Sequence, residues 1–186
     1  AALYLFVSKS EAVLEVSAVF NEAKLLILNA DVELNEVQVS KNTTLVSGDK
    51  IKTTATGRAI VKTGPQLVTS IGENTELIFR TESDLRNNEY EVIVGKLWSR
   101  LERALEQDEV YKVYTPTLAA AVRGTSFGTL VNDEVDEIKV FEGEVVVTSR
   151  ADKTEVSVKA GEVVSIVDGR LVVRKMTEVD QEDWYI

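Results

Sequence analysis

The chain has 186 residues, with 31 Asp and Glu but no His and no Cys. The groups left to do chemistry are therefore carboxylates, hydroxyls and the cations of Lys and Arg. Without Cys there is no disulfide, thiolate nucleophile, iron–sulfur cluster or sulfur-based zinc site. Without His there is no Ser–His–Asp triad, no usual transition-metal ligand and no haem ligation by His, and the side chain that ordinarily titrates near neutrality is missing. The carboxylates gather in three places: Asn132-Asp133-Glu134-Val135-Asp136-Glu137, Gln107-Asp108-Glu109 and Asp180-Gln181-Glu182-Asp183. Hard cations prefer such oxygens. The first cluster lacks the spacing of an EF-hand loop, however, and all three read as solvated acidic turns. Nothing in the spacing sets one carboxylate opposite another as acid and base. Phosphate-cradling loops of the GxGxxG or Walker type are absent. Asn42-Thr43-Thr44 is a glycosylation-type sequon. The expectation is a protein with no catalytic residues, no cofactor and no metal.

Charge narrows the partners. Lys and Arg number 21, so the net charge is -10. Such a surface repels phosphate backbones and anionic head groups, which argues against nucleic acid and against docking on acidic lipid. No stretch reaches the roughly 20 apolar residues of a complete membrane-spanning helix.

The elements that must carry these residues read as strands. Val is the commonest residue, with 29 copies, and only Pro65 and Pro116 interrupt the backbone donors. Turn signals recur at short spacing, among them Ser47-Gly48-Asp49, Thr56-Gly57, Gly72-Glu73-Asn74, Asn132-Asp133, Glu142-Gly143, Ala160-Gly161 and Asp168-Gly169. Short alternating runs lie between them, such as Ala59-Ile60-Val61, Val145 to Thr148 and Arg170 to Arg174. The predicted class is all-β (mainly β), a sandwich, barrel or β-helix-like domain with at most one short helix. That helix is expected over Lys96 to Gln107, where Leu97, Trp98, Leu101, Ala104 and Leu105 recur at helical spacing. The alternation of Leu97, Ser99 and Leu101 offers a strand as the rival at its start. Core packing is the simpler role for Trp98.

The chain also echoes itself. LILNADVEL around Ala30 resembles KVFEGEVVV around Gly143, and Gly48-Asp49-Lys50-Ile51 corresponds to Gly161-Glu162-Val163-Val164 at the same offset of 113. Gly57-Arg58 and Gly169-Arg170 follow at an offset of 112. Two similar β units are expected from this.

The sharpest string is Tyr114-Thr115-Pro116-Thr117-Leu118-Ala119-Ala120-Ala121-Val122-Arg123-Gly124-Thr125-Ser126-Phe127. It resembles the signature of the FecR domain family. Other segments agree in order: Gly48-Asp49-Lys50-Ile51-Lys52-Thr53, Gly57-Arg58-Ala59, Glu73-Asn74-Thr75-Glu76-Leu77, Gly95-Lys96-Leu97-Trp98, Glu142-Gly143-Glu144-Val145 and Ala160-Gly161-Glu162. The resemblance covers about residues 25 to 170. It departs from the family at Thr63-Gly64-Pro65-Gln66, and it lacks the N-terminal anti-sigma segment of the signalling members.

The resemblance implies a mostly β domain outside the cytoplasm, in the periplasm, on the surface or secreted, that works by contact with protein. Its signature residues here are Gly48, Asp49, Gly57, Arg58, Trp98, Thr115, Pro116, Val122, Arg123, Gly124, Thr125, Phe127, Gly143 and Gly161. Within the string, Pro116 biases Thr115 to extended geometry, and the three alanines permit close approach. Arg123, a fixed cation among small residues, needs a carboxylate or carbonyls if it is buried. Asp49 is the expected candidate, with Arg123 a structural clasp or the holder of an anionic group.

Three segments follow. Residues 1–24 form an apolar N-terminal segment, 25–174 the FecR-like domain and 175–186 an acidic tail. Leu3, Tyr4, Leu5, Phe6 and Val7 are candidate assembly residues. They read equally as the end of an anchor or signal, as an ordinary strand, or as a segment that pairs with another subunit. The expected function is a non-enzymatic interaction domain at the cell envelope. The alternative is the structural subunit of a self-assembling surface filament, whose N-terminal segment inserts into its neighbour.

Overall fold

A computed structural model of the chain describes residues 22–182, apart from Ala30, Pro65, Gln66, residues 102–104, Gln107 and Arg123. Its first eight strands are β1 (Ala23–Asn29), β2 (Val32–Leu34), β3 (Val37–Val39), β4 (Thr43–Leu45), β5 (Lys50–Thr53), β6 (Arg58–Thr63), β7 (Leu67–Ile71) and β8 (Glu76–Thr81). A long central strand, β9 (Asn87–Leu101), follows. The rest are β10 (Val110–Tyr114), β11 (Leu118–Val122), β12 (Ser126–Val131), β13 (Asp136–Glu142), β14 (Glu144–Ser149), β15 (Glu155–Lys159), β16 (Glu162–Val167) and β17 (Arg170–Lys175), with a short helix α1 (Glu178–Glu182).

The pairings resolve into two layers that share β9. One sheet runs β4-β1-β6-β7-β9-β12-β13-β16-β17. The other runs β3-β2-β5-β8-β9-β10-β11-β14-β15. Every pairing is antiparallel except β9 with β10. Residues 88–94 of β9 pair in the second sheet and residues 95–101 in the first.

β9 changes sheets at Gly95. Before it the even positions Asn88, Tyr90 and Val92 are buried; after it the odd positions Leu97, Ser99 and Leu101 are. A simple strand cannot switch faces without an added residue, and the pairing with β8 slips between Glu76 and Leu77. Gly95 sits at φ 107. A Cβ there would lie 2.4 Å from Thr75 Cα. Only glycine tolerates both that backbone region and that approach.

The inner faces of the two sheets meet in one core. Phe79, Tyr90, Tyr111 and Phe127 form a row through it, with ring centroids 5.3, 5.5 and 6.0 Å apart. Phe127 belongs to the first sheet and the other three rings to the second, so the row links the layers. The Tyr111 hydroxyl reaches across to Thr69 Oγ1 at 3.0 Å and Ser99 Oγ at 2.6 Å. Burial pushes the Tyr90 phenol up to about 12 and that of Tyr111 well above its ordinary value.

The helix expected over Lys96 to Gln107 is not formed at its start. Lys96 to Leu101 are the end of β9, bonded to β7 on one side and β12 on the other. A helix would leave β7 and β12 each unpaired on the side that faces β9, so the two-residue alternation wins over the helical spacing. Residues 102–104 and 107 of that range lie outside the described residues, and a short helix stands at Glu178–Glu182. The internal echo keeps its spacing, since β2, β5 and β6 fall at the positions of β14, β16 and β17. The pairing differs: β2 and β5 are neighbours in one sheet, whereas β14 and β16 lie in opposite sheets.

Replacing Gly95 by Ala should cost about 3 kcal/mol or more, by the sum of a left-handed backbone and an overpacked corner. Chemical denaturation would read this as a lower midpoint. An unchanged midpoint would show that the corner can relax.

Candidate interaction surface and the placement of the signature

The second half of the chain is a run of hairpins that alternate between layers: β10–β11 in the second sheet, β12–β13 in the first, β14–β15 in the second, β16–β17 in the first. The chain must cross between sheets after each one. Gly124-Thr125, Gly143 and Ala160-Gly161 are those crossings. In the first half, Gly48 leads from β4 to β5, Gly57 from β5 to β6, and Gly95 carries β9 across. The family glycines therefore mark where the backbone changes layer.

Side chains lock these corners. Thr53 Oγ1 donates to the Gly72 carbonyl at 2.6 Å and accepts from the Thr75 amide at 2.9 Å. Thr75 Oγ1 in turn accepts the Lys96 amide at 2.9 Å. Three of the family's segments thus meet at one point. At the next corner a Cβ on Gly57 would lie 2.2 Å from the Asp31 carbonyl oxygen. Arg58 is half exposed and pairs with Glu73 at 3.3 Å. On the other side, Gly143 packs under Thr125, whose carbonyl accepts the Leu101 amide at 3.1 Å.

Asp49 is 6% exposed and finds its partners close by. Asn35 Nδ2 donates to Oδ1 and the Val46 amide to Oδ2, each at 2.8 Å. The Asn35 amide also donates to the Lys50 carbonyl at 2.9 Å and its side-chain oxygen accepts the Lys50 amide at 2.9 Å, so Asp49 fastens the β2–β3 hairpin to β5. Arg123, its expected partner, lies outside the described residues, as do Leu3, Tyr4, Leu5, Phe6 and Val7.

The Thr115-Pro116-Thr117 turn is organised by a residue that the pattern of the string does not reveal. One oxygen of Asp136, Oδ2, accepts from Thr115 Oγ1 at 2.8 Å, the Thr117 amide at 2.8 Å and Thr117 Oγ1 at 2.6 Å. Thr115 Oγ1 accepts the Leu118 amide at 2.9 Å, and Arg150 donates to the Thr115 carbonyl. Asp136 was expected on a solvated acidic turn; instead it clasps the β10–β11 hairpin to the start of β13. The available signal was that a Thr-Pro-Thr turn displays two hydroxyls and an amide in need of an acceptor. Pro116 is exposed beside it, while Val122 and Phe127 point into the core. Trp98 is half-buried on the outer face of the first sheet, in register with Ser70 and Gly128, and not in the core.

Asp180 also departs from the solvated reading. It is 5% exposed and closes a network of four charges with Glu137, Lys139 and Arg174. Lys139 Nζ lies 3.0 Å from Glu137 Oε1 and 3.0 Å from Asp180 Oδ1. Arg174 reaches Asp180 Oδ2 at 2.6 Å and Oδ1 at 2.9 Å, and Glu137 Oε2 at 3.3 Å. The Thr177 amide and hydroxyl complete the carboxylate at 2.8 Å each. These contacts dock α1 on β13 and β17. The Arg174 guanidinium above all, with Thr177 and Lys139, holds the Asp180 carboxyl well below the usual carboxylate range.

Recesses and sheet edges remain among the described residues. A cavity of about 80 Å³ lies between the layers, lined by Thr63, Leu67, Leu85, Leu101, Val110 and Tyr111. It is well short of the several hundred Å³ typical of small-molecule sites. Ala121 lines an open trough on the outer face of the second sheet, beside Lys112 and Val146. Among the described residues β3, β4, β15 and β17 are each paired on one side only. The sequon residue Asn42 accepts the Ile27 amide at 3.0 Å. Among the described residues no group of three or more Asp and Glu is placed to hold a metal ion, and no helix is long and apolar enough to cross a membrane.

The chain is thus a two-layer all-β domain whose crossings carry the glycine and threonine motifs. The family model described as FecR protein matches residues 49–164, and the chain belongs to that family. Among solved structures the chain is similar to a "putative anti-sigma factor" from Parabacteroides distasonis ATCC 8503. The two share 18% identity at a TM-score of 0.56, over 68% of this chain and 59% of that one. At that identity the likeness shows the fold alone, and the chain spans little more than half the length of that protein. A second structure with the same description matches at a TM-score of 0.49, with 18% identity, over 59% of this chain and 51% of that one. No curated protein matches.

Two outcomes follow. Asp136→Ala should lose about 2–4 kcal/mol, because three donors lose one charged acceptor; equilibrium unfolding checks it, and a cost under about 0.5 kcal/mol would contradict the clasp. Asp180→Ala should cost about 3 kcal/mol at neutral pH, since it leaves Lys139 and Arg174 to share the single carboxylate of Glu137. The Asp180 carboxyl is lowered from 3.8 on folding, so its contribution is full above that value and fades only as pH falls further. Thermal melts from pH 7 to 2 should therefore keep wild type and variant apart until the most acid samples. Convergence above pH 5 would contradict this.

Proposed function

We infer that the chain is a non-enzymatic interaction domain that works outside the cytoplasm, by protein–protein contact at the cell envelope or surface. One observation carries the reading: the family match over residues 49–164 coincides with motifs that are committed to holding the fold. The residues that define the family hold corners and hairpins. The surfaces they leave for function are strand edges and sheet faces, which suit contact with another protein rather than turnover of a small molecule. The anti-sigma description of the structural neighbour supports a regulatory role for such contact.

A second reading, the structural subunit of a self-assembling surface filament, is favoured by the edge strands. Both sheets end in an edge unpaired among the described residues at each end of the stack. Insertion of Leu3 to Val7 into a neighbouring subunit belongs to this reading.

Fractionation of cells that express the full-length protein tests the location, with protease added to intact cells and to cells with a permeabilised envelope. Protection confined to an envelope compartment, or digestion on intact cells, is expected. Recovery solely from the cytoplasm would contradict the reading.

A further inference from the structure

The outer face of the first sheet is divided by charge. Strands β1, β6, β7 and β12 and residues 95–101 of β9 set Lys24, Arg58, Lys62, Lys96 and Arg100 on it and no acid. Glu22 and Glu73 stand at its rim. Lys24 lies 3.8 Å from Glu22, and Glu73 lies 3.3 Å from Arg58 and 4.0 Å from Lys96. Glu142 is the next acid in register, across Ser126 from Arg100. With Glu142 counted, five cations meet three acids, in a chain whose net charge is -10. Lys62 and Arg100 are exposed and make no ion pair among the described residues. Apolar side chains share the face: Leu26, Ile60, Val68, Trp98 and Leu130 are each half-buried there.

Helix α1 sits on the same face. Trp98, Gly128, Lys139, Val163 and Arg174 form one row across β9, β12, β13, β16 and β17. Asp180 holds both Arg174 of the edge strand and Lys139 of β13, and Val163 between them is fully buried although it faces outward. The chain therefore travels inward from β17, and β12 and β9 come next. Residues 183–186 follow, Asp183-Trp184-Tyr185-Ile186, an acid and then two aromatic residues and an Ile. They lie outside the described residues. Extended, four residues span about 13 Å. The distance from β13 to β9 is two strands, about 10 Å.

We propose that residues 183–186 dock on this face as a strap, with Trp184 over Gly128 against Trp98 and Asp183 toward Arg100. Three observations converge on this occupant. The segment starts from α1, which is already fastened to the face. Its length matches the span to Trp98. Its acid followed by large apolar side chains complements a face that sets cations around a half-buried Trp. The acidic remainder of the surface repels Glu182 and Asp183, so the basic half selects them. A segment tethered within reach is present at about millimolar effective concentration, which a free partner must exceed. The strap thus covers this basic face, and an acidic partner gains the face only by displacing it. The proposal concerns contacts within the chain and stands apart from the envelope reading.

Nuclear magnetic resonance of the full 186-residue chain tests it, because the 2 tryptophans give separate indole N–H signals. Nuclear Overhauser contacts between the Trp184 and Trp98 rings are expected in wild type, unchanged on dilution. Arg100→Glu should remove them and shift the docked-to-open ratio about tenfold toward the open form. Arg100→Lys should keep them, and so should Lys159→Glu, a charge reversal on the second sheet. The core methyl signals confirm that each variant is folded. A Trp184 indole at its random-coil position in wild type overturns the proposal. So do ring contacts with a different face, contacts found only between differently labelled copies, and contacts that survive Arg100→Glu. Any of these results leaves the envelope-contact reading standing, because fractionation tests that separately.

Discussion

The structure depends on a chain that repeatedly changes layer within very few residues. A hairpin that stays in one sheet needs only a turn. A crossing must reverse which face points inward, clear about 10 Å between layers and still satisfy its backbone donors. At Gly95 all of this happens inside one continuous strand, and Thr75 fills the space that a side chain would occupy. The Thr53 and Thr75 hydroxyls then supply the bonds that the interrupted ladder cannot. The core row from Phe79 to Phe127 assembles only if that corner holds, because it draws its rings from both sheets.

This explains why the family's motifs look like a site and behave as joinery. Gly48-Asp49, Gly57-Arg58, Glu73-Asn74-Thr75, Gly95 and Glu142-Gly143 are far apart in sequence, yet each marks a change of layer or the residue that clamps one. Thr115 and Thr117 look like polar residues awaiting a ligand, and the ligand is Asp136 of the same chain. Four ionised groups at Glu137, Lys139, Arg174 and Asp180 resemble a catalytic cluster; each is committed to another of the four, and together they fasten α1 to the sheet. Function then falls to what these contacts leave open, the faces and edges of a strongly acidic sandwich.

Much of the fold is legible in the sequence because strands and turns are local. The alternation of Ala59-Ile60-Val61 or Val145 to Thr148 and the punctuation by Gly and Asn carry the class and most boundaries. Pairing is not local, which is why the matched spacing of the two halves conceals different neighbours for β5 and β16. Leu97 to Leu101 misleads because its side chains satisfy two periods at once, and only the flanking β7 and β12 decide between them. Asp136 and Asp180 mislead because composition cannot tell an acid in solvent from one covered by a distant hairpin or helix. The family signature itself is legible as a string. That its acceptor lies in the acidic turn downstream is visible only once β11 and β13 are placed.

Native-state hydrogen exchange tests the central claim most directly, namely that the crossings hold the sandwich together. The amides of Thr75, Lys96 and Leu101 bond to Thr53 Oγ1, Thr75 Oγ1 and the Thr125 carbonyl. They should exchange only through global unfolding, with the free energy measured by denaturation, while amides of the edge strands β3 and β17 exchange through smaller openings. Crossing amides that exchange as fast as those of the edges would contradict the account, and would place the structural keystone elsewhere in the sheets.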